Sequence, residues 1–169
     1  VIGLLGIGMT LVIITGGIDL SVGSVLALSG VITGMSVKAG VPVAPAMLLG
    51  VLTGAACGLF NGFVITKMRI TPFVATLGMM LIARGTALQL TGAAPISRLG
   101  ESFGALGNGS LFRIVEKTGG IFPKVVFPGI PYPAILLAAV ALAAAYLLNR
   151  RQTGRHIYAT GSNEEAARL

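Results

Sequence analysis

Asp19 is the one charged side chain in the first 37 residues. It stands in Thr15-Gly16-Gly17-Ile18-Asp19-Leu20-Ser21-Val22-Gly23, between two apolar stretches. An ionised acid alone at membrane depth costs roughly 3 kcal/mol unless a partner or water meets it. Asp19 therefore either lines a polar path or caps a broken helix. On a path, its carboxylate and the hydroxyls of Thr15 and Ser21 offer hydrogen-bonding groups to a passing solute. Asn61 and Arg84 are two further polar side chains set in apolar surroundings, and both are candidates for the same path. The single histidine, His156, and the single cysteine, Cys57, lie in different segments. They make neither a nucleophile–base pair nor a metal cluster, which argues against an intramembrane enzyme and against a bound metal or cofactor.

Composition agrees with transport across a bilayer. The chain has 169 residues, 54% hydrophobic and only 10% charged, where a soluble domain carries about 25% charged residues. Glycine is abundant at 25 residues, as membrane helices tolerate. The class this predicts is all-α: a polytopic integral membrane helical bundle with about five apolar segments. Cys57 reads as a small packing residue. The chain starts inside an apolar run without Met and stops at Leu169, which reads as a fragment truncated at both ends, with no signal peptide. The net charge of +7 would suit nucleic acid only if it were clustered on a solvent-facing patch. The twelve Lys and Arg are instead scattered between apolar segments, so they flank a lipid bilayer and no nucleic-acid partner is expected.

Spanning the bilayer takes about 20 apolar residues. Val43–Thr66 satisfies this, Pro72–Leu90 nearly does, and Pro131–Leu148 is short but strongly apolar. Ile18–Val37 and Val1–Ile14 complete the set. Thr71 places a capping hydroxyl before Pro72, and Asp19 is placed to cap a helix starting at Leu20. Lys67 and Arg69, in the short link between two spans, put that link in the cytoplasm, along with the 149–169 tail. Residues 91–130 then lie outside, as a loop with short helices. Residues 1–37 are either two helices joined by a turn at Gly16-Gly17 or one element broken within the membrane.

Gly50, Gly54, Gly58 and Gly62 recur every four residues, a small-residue stripe that lets another helix backbone approach. Asn61 beside it is placed to bond a neighbouring helix. Arg84 lies about 18 Å along its helix from Pro72, past the midplane. It either snorkels outward, pairs with an acid or meets a solute. In the tail, Ser162 and Glu165 have capping-box spacing, so a short helix is expected from about Asn163.

The run Gly8 to Ser24 resembles the signature of permease subunits of ribose-type sugar ABC importers. Asn61-Gly62, Thr71-Pro72-Phe73-Val74-Ala75-Thr76-Leu77-Gly78 and Arg84-Gly85 follow in that family's order. Gly154-Arg155, Tyr158-Ala159, Gly161, Asn163 and Glu164–Leu169 resemble its cytoplasmic loop. The resemblance covers nearly the whole chain and is weakest over 93–130. It implies a transmembrane permease domain that works with an ABC ATPase subunit, an extracytoplasmic sugar-binding protein and a second permease subunit in the plasma membrane. It further implies that Gly161, Asn163, Glu164, Glu165, Ala166 and Ala167 form the element that docks on the ATPase. ATP hydrolysis would belong to that partner, because no Gly-x-x-x-x-Gly-Lys-Ser/Thr cradle occurs here. The rival readings are a permease for branched-chain amino acids or a furanose signal molecule, and a passive channel.

Overall fold

A computed structural model of the chain describes residues 1–112, 114–116 and 124–163. Five apolar helices carry the architecture: α1 (Ile2–Ile14), α2 (Val22–Lys38), α3 (Val43–Lys67), α4 (Pro72–Thr91) and, after a small outlying unit, α6 (Tyr132–Arg150). Of these, α3, α4 and α6 are long and apolar enough to cross a membrane, whereas α1 and α2 are shorter apolar helices. Between α4 and α6 lie α5 (Glu101–Asn108) and the strands β1 (Ser110–Leu111), β2 (Ile114–Glu116), β3 (Lys124–Phe127) and β4 (Ile130–Pro131). β1 pairs antiparallel with β4, and β2 with β3. The stretch expected as a loop with short helices thus contains one short helix and two small ladders. The last described helix is α7 (Gln152–Ser162).

α2 packs on both α3 and α4, and α3 also meets α4; α1 packs on α6 and α7. The apolar centre of the first group is Leu28, Ala83 and Ala87, with Val25, Val31, Ile32 and Cys57 against it. Cys57 is thus the packing residue its surroundings suggested. The burial pattern is inverted relative to a water-soluble protein. Ser21, Thr33, Asn61 and Thr76 are buried, while Val51, Leu59, Phe63, Leu81, Ile82 and Leu142 are exposed. Such an apolar exterior is stable only against lipid, where hydrophobic burial no longer drives helices together and polar contacts and close packing do so instead.

Residues 15–21 do not continue a helix. Gly17 N–H donates to Val12 O at 3.1 Å and Gly16 N–H to Ile13 O at 2.9 Å, with Gly16 at φ +76°. These paired bonds and the left-handed residue make a Schellman stop, a conformation glycine adopts without a Cβ penalty. The helix expected over 18–37 accordingly begins only at Val22. Residues 1–37 therefore form two helices, α1 and α2, joined by an irregular segment rather than a tight turn.

Candidate functional site

Asp19 sits in this irregular link. Its Oδ1 accepts the backbone N–H of Ser21 at 2.7 Å and the Ser21 hydroxyl at 2.6 Å. This is a local turn closed by an aspartate two residues back. It is not the cap expected for a helix starting at Leu20, because Ser21 intervenes as the N-terminal residue flanking α2, and no side chain caps that helix. The Ser21 hydroxyl has one proton, and Asp19 takes it. Its lone pair then accepts from Asn61 Nδ2 at 3.2 Å. Ser21 and Asn61 are both buried. The bond to a neighbouring helix foreseen for Asn61 is therefore made, across 40 positions of sequence.

A second tether comes from α4. The Thr76 hydroxyl oxygen accepts Leu20 N–H at 3.2 Å and lies 2.8 Å from Pro72 O and 3.3 Å from Ile18 O, to either of which it can donate its one proton. Thr76 is 2% exposed. Two spans thus hold the irregular link by one polar side chain each, Asn61 on its Ser21 end and Thr76 at Leu20. Asn61 lies about 9 Å from the C-terminal end of α3, and Thr76 about 6 Å from the start of α4. The break therefore sits inside the spans, near their Lys67–Arg69 end. Irregular backbone at such depth needs protein or water around it to satisfy its polar groups. Sequence reasoning left Thr76 out of the candidate site, because a threonine that bonds the carbonyl four residues back is an ordinary helix feature.

Beside this link, a cavity of about 680 Å³ opens between α2 and α3. Its polar wall is Asp19, Ser21, Ser29, Thr33 and Asn61; its apolar wall includes Leu5, Val25, Met47 and Val51. Asp19 Oδ2 accepts no hydrogen bond from a described residue and is not a buried orphan, so it meets open space. Among the described residues, no Lys or Arg lines the cavity.

The other candidates are placed differently. Thr15 is exposed and spends its hydroxyl on Val12 O at 2.7 Å, so it closes α1 and does not line the cavity. Arg84 is exposed and lines a separate groove on the opposite side of α2. Gly50 and Gly54 press on α2: a Cβ at Gly50 would meet Thr33 Oγ1, and one at Gly54 would lie 3.3 Å from Ser29 Oγ. Gly58 and Gly62 have open space instead, with no atom within 4 Å of an added Cβ. The stripe is thus a packing surface only at its upper half, and Gly58 lines the cavity. Thr71 flanks the start of α4 without a capping bond from its hydroxyl; Thr76, deeper in, takes the Pro72 carbonyl.

In the tail, Ser162 is the last residue of α7 and Asn163 N–H returns to Ala159 O at 2.9 Å, while the helix expected from about Asn163 lies outside the described residues. Gly161 lies against the end of α1, where a Cβ would overlap the Ile14 carbonyl. Glu164, Glu165, Ala166 and Ala167 lie outside the described residues.

Comparison with known proteins bears on the whole chain. Residues 1–169 match the family described as branched-chain amino acid transport system / permease component. The chain is 42% identical over 170 residues to the ribose import permease protein RbsC of Escherichia coli (strain K12), covering 98% of this chain and 48% of that protein. It is 41% identical over 167 residues to RbsC of Bacillus subtilis (strain 168), covering 98% and 47%. It is 39% identical over 165 residues to the autoinducer 2 import system permease protein LsrC of Yersinia pestis (strain Pestoides F), covering 98% and 42%. The chain spans about half the length of the curated relatives it matches. No solved structure matches it.

Proposed function

Since this chain belongs to the branched-chain amino acid transport system permease family, we propose that it is part of the membrane subunit of an ATP-driven importer of a monosaccharide in the plasma membrane. One observation carries the choice of solute class. Among the described residues, the cavity at the helix break presents a free carboxylate oxygen and no cationic side chain. Such a wall accepts hydrogen bonds from hydroxyl donors and repels a carboxylate. It suits a neutral polyol and supplies no cation for the carboxylate of a branched-chain amino acid, and the identity to ribose import permeases points the same way. The similarity to an autoinducer 2 import permease supports a small furanose-like signal molecule as the second reading.

In this reading Asp19, Ser21 and Asn61 form the polar wall of the solute path, and alternating access moves that wall. Gly161, Asn163, Glu164, Glu165, Ala166 and Ala167 dock on a separate ABC ATPase subunit. A second permease subunit completes the pathway, and an extracytoplasmic binding protein delivers the solute. The contact of Gly161 with Ile14 supports a mechanical link, because Ile14 is the last helical residue before the break. The test is uptake by the complete transporter in vesicles, with labelled ribose competed by other pentoses and by leucine or valine. Competition by pentoses alone is expected. Competition by the amino acids alone would overturn the assignment.

A further inference from the structure

On the α4 side of α2 lies the second groove, of about 920 Å³. Among the described residues, Arg84 is the one charged residue on its wall. Among the described residues Arg84 forms no ion pair, and the Asp19 carboxylate lies on the other cavity. An unpaired guanidinium at this depth is unfavourable unless an anion or water reaches it. It stands about 18 Å from the Pro72 end of α4 and about 10 Å short of the Thr91 end. Leu88, also on the groove wall, is 51% exposed, and Ile82 on the same helix is 60% exposed. At Leu88 the groove thus opens on the surface of the described residues.

Towards Thr91 the wall includes that residue and the link after α4, at Ala93–Ile96. Towards the helix break it is Met80, Ala27, Ser24, Gly23 and Leu20, apolar but for the Ser24 hydroxyl, and an added Cβ at Gly23 meets nothing within 4 Å. A trench with a single cation part-way down and a largely apolar floor below it matches an amphiphile with one anionic head. Arginine grips phosphate through two parallel N–H donors, and basic pockets between membrane helices take acidic lipid head groups. We propose that this groove binds an anionic phospholipid, its phosphate on Arg84 and an acyl chain along Met80, Ala27 and Gly23.

The test uses the full-length protein, purified in detergent and stripped of lipid. Phosphatidylglycerol, phosphatidylethanolamine and inorganic phosphate are then added separately. Native mass spectrometry reads retention and thermal unfolding reads stabilisation. Phosphatidylglycerol should be retained and should raise the unfolding temperature, with the other two well behind. Arg84→Gln should weaken its retention about fivefold, the effect of one basic residue on an acidic lipid. Arg84→Lys should keep most of it. Ala27→Phe, with Arg84 intact, should lose retention by filling the trench, which separates lipid binding from a folding defect at Arg84. Equal retention of the two lipids, unchanged retention in Arg84→Gln, or stabilisation by inorganic phosphate alone would each overturn the proposal. So would an Arg84→Cys variant that cross-links efficiently to another helix of the full-length chain, since a helix would then fill the groove.

Discussion

Asn61 donates to the hydroxyl of Ser21 at 3.2 Å, joining the lower part of α3 to the first residue before α2. The same hydroxyl donates to Asp19, so the carboxylate is held by a relay that begins on a neighbouring span. Asn61→Ala removes the far end of that relay. Inter-helix hydrogen bonds in membranes contribute about 0.6 kcal/mol and at most about 1.7 kcal/mol. The variant should therefore stay folded, with a modest fall in unfolding temperature, while solute uptake drops more than stability does. Equal uptake in variant and parent would show that the relay does not position Asp19.

Thr76 offers a cleaner substitution. Thr76→Val keeps the shape but leaves the Leu20 N–H without its acceptor, at a cost of about 1–3 kcal/mol. Thr76→Ser keeps the oxygen and should remain close to the parent protein. Thermal unfolding of both variants in detergent checks this, and similar losses in the two would mean that the methyl group matters rather than the bond.

At Asp19 the charge and the geometry can be separated. Asp19→Asn retains an oxygen for Ser21 N–H and for the Ser21 hydroxyl, whereas Asp19→Ala retains neither. Hydrogen bonds to charged groups contribute about 1.5–3 kcal/mol, so Asp19→Ala should reduce uptake about tenfold or more. Asp19→Asn should fold like the parent yet bind solute more weakly, visible as a raised KM with kcat less affected. Normal transport by Asp19→Asn would assign the residue to holding the link alone.

Two changes in the tail probe the connection to the motor subunit. In the complete transporter, Glu165→Lys should leave the protein in the membrane and let ATP be hydrolysed without uptake; unaltered uptake would refute the docking role. Gly161→Leu should have the same phenotype for a different reason. Any side chain there overlaps the Ile14 carbonyl, so α7 must move off α1.

Much of this architecture could be read from residue order, and the exceptions have physical causes. The starts of α3 and α4 lie at Val43 and Pro72 as expected, and α6 begins one residue later than expected, at Tyr132. Long apolar runs bounded by charge or proline leave little freedom. The stop at Gly16-Gly17 was also visible, since a glycine pair suits a left-handed residue. α7 was not, because Gln152–Ser162 contains Gly154 and Gly161, both poor helix formers. Packing overrides that propensity: Gly154 fits against the Leu147 and Leu148 carbonyls and Gly161 against Ile14, where larger residues would collide. Asp19 and Ser21 could be singled out because polar groups in grease are conspicuous. Their partners could not all be identified in the same way, since nothing local to Thr76 reveals a bond to Leu20, 56 positions away. For the same reason the division of Asp19 and Arg84 between two cavities is invisible in one dimension.

The glycines of α3 give its junction with α2 two unequal halves. Around Gly50 and Gly54 the helices touch through main chain and small atoms, while Gly58 faces open space and the Asn61 amide reaches across to Ser21. In the proposed transport cycle such a pair would serve as a hinge with a stiff pivot and a latch: release of the Asn61 and Thr76 bonds would let the lower arms swing while the pivot keeps its fit.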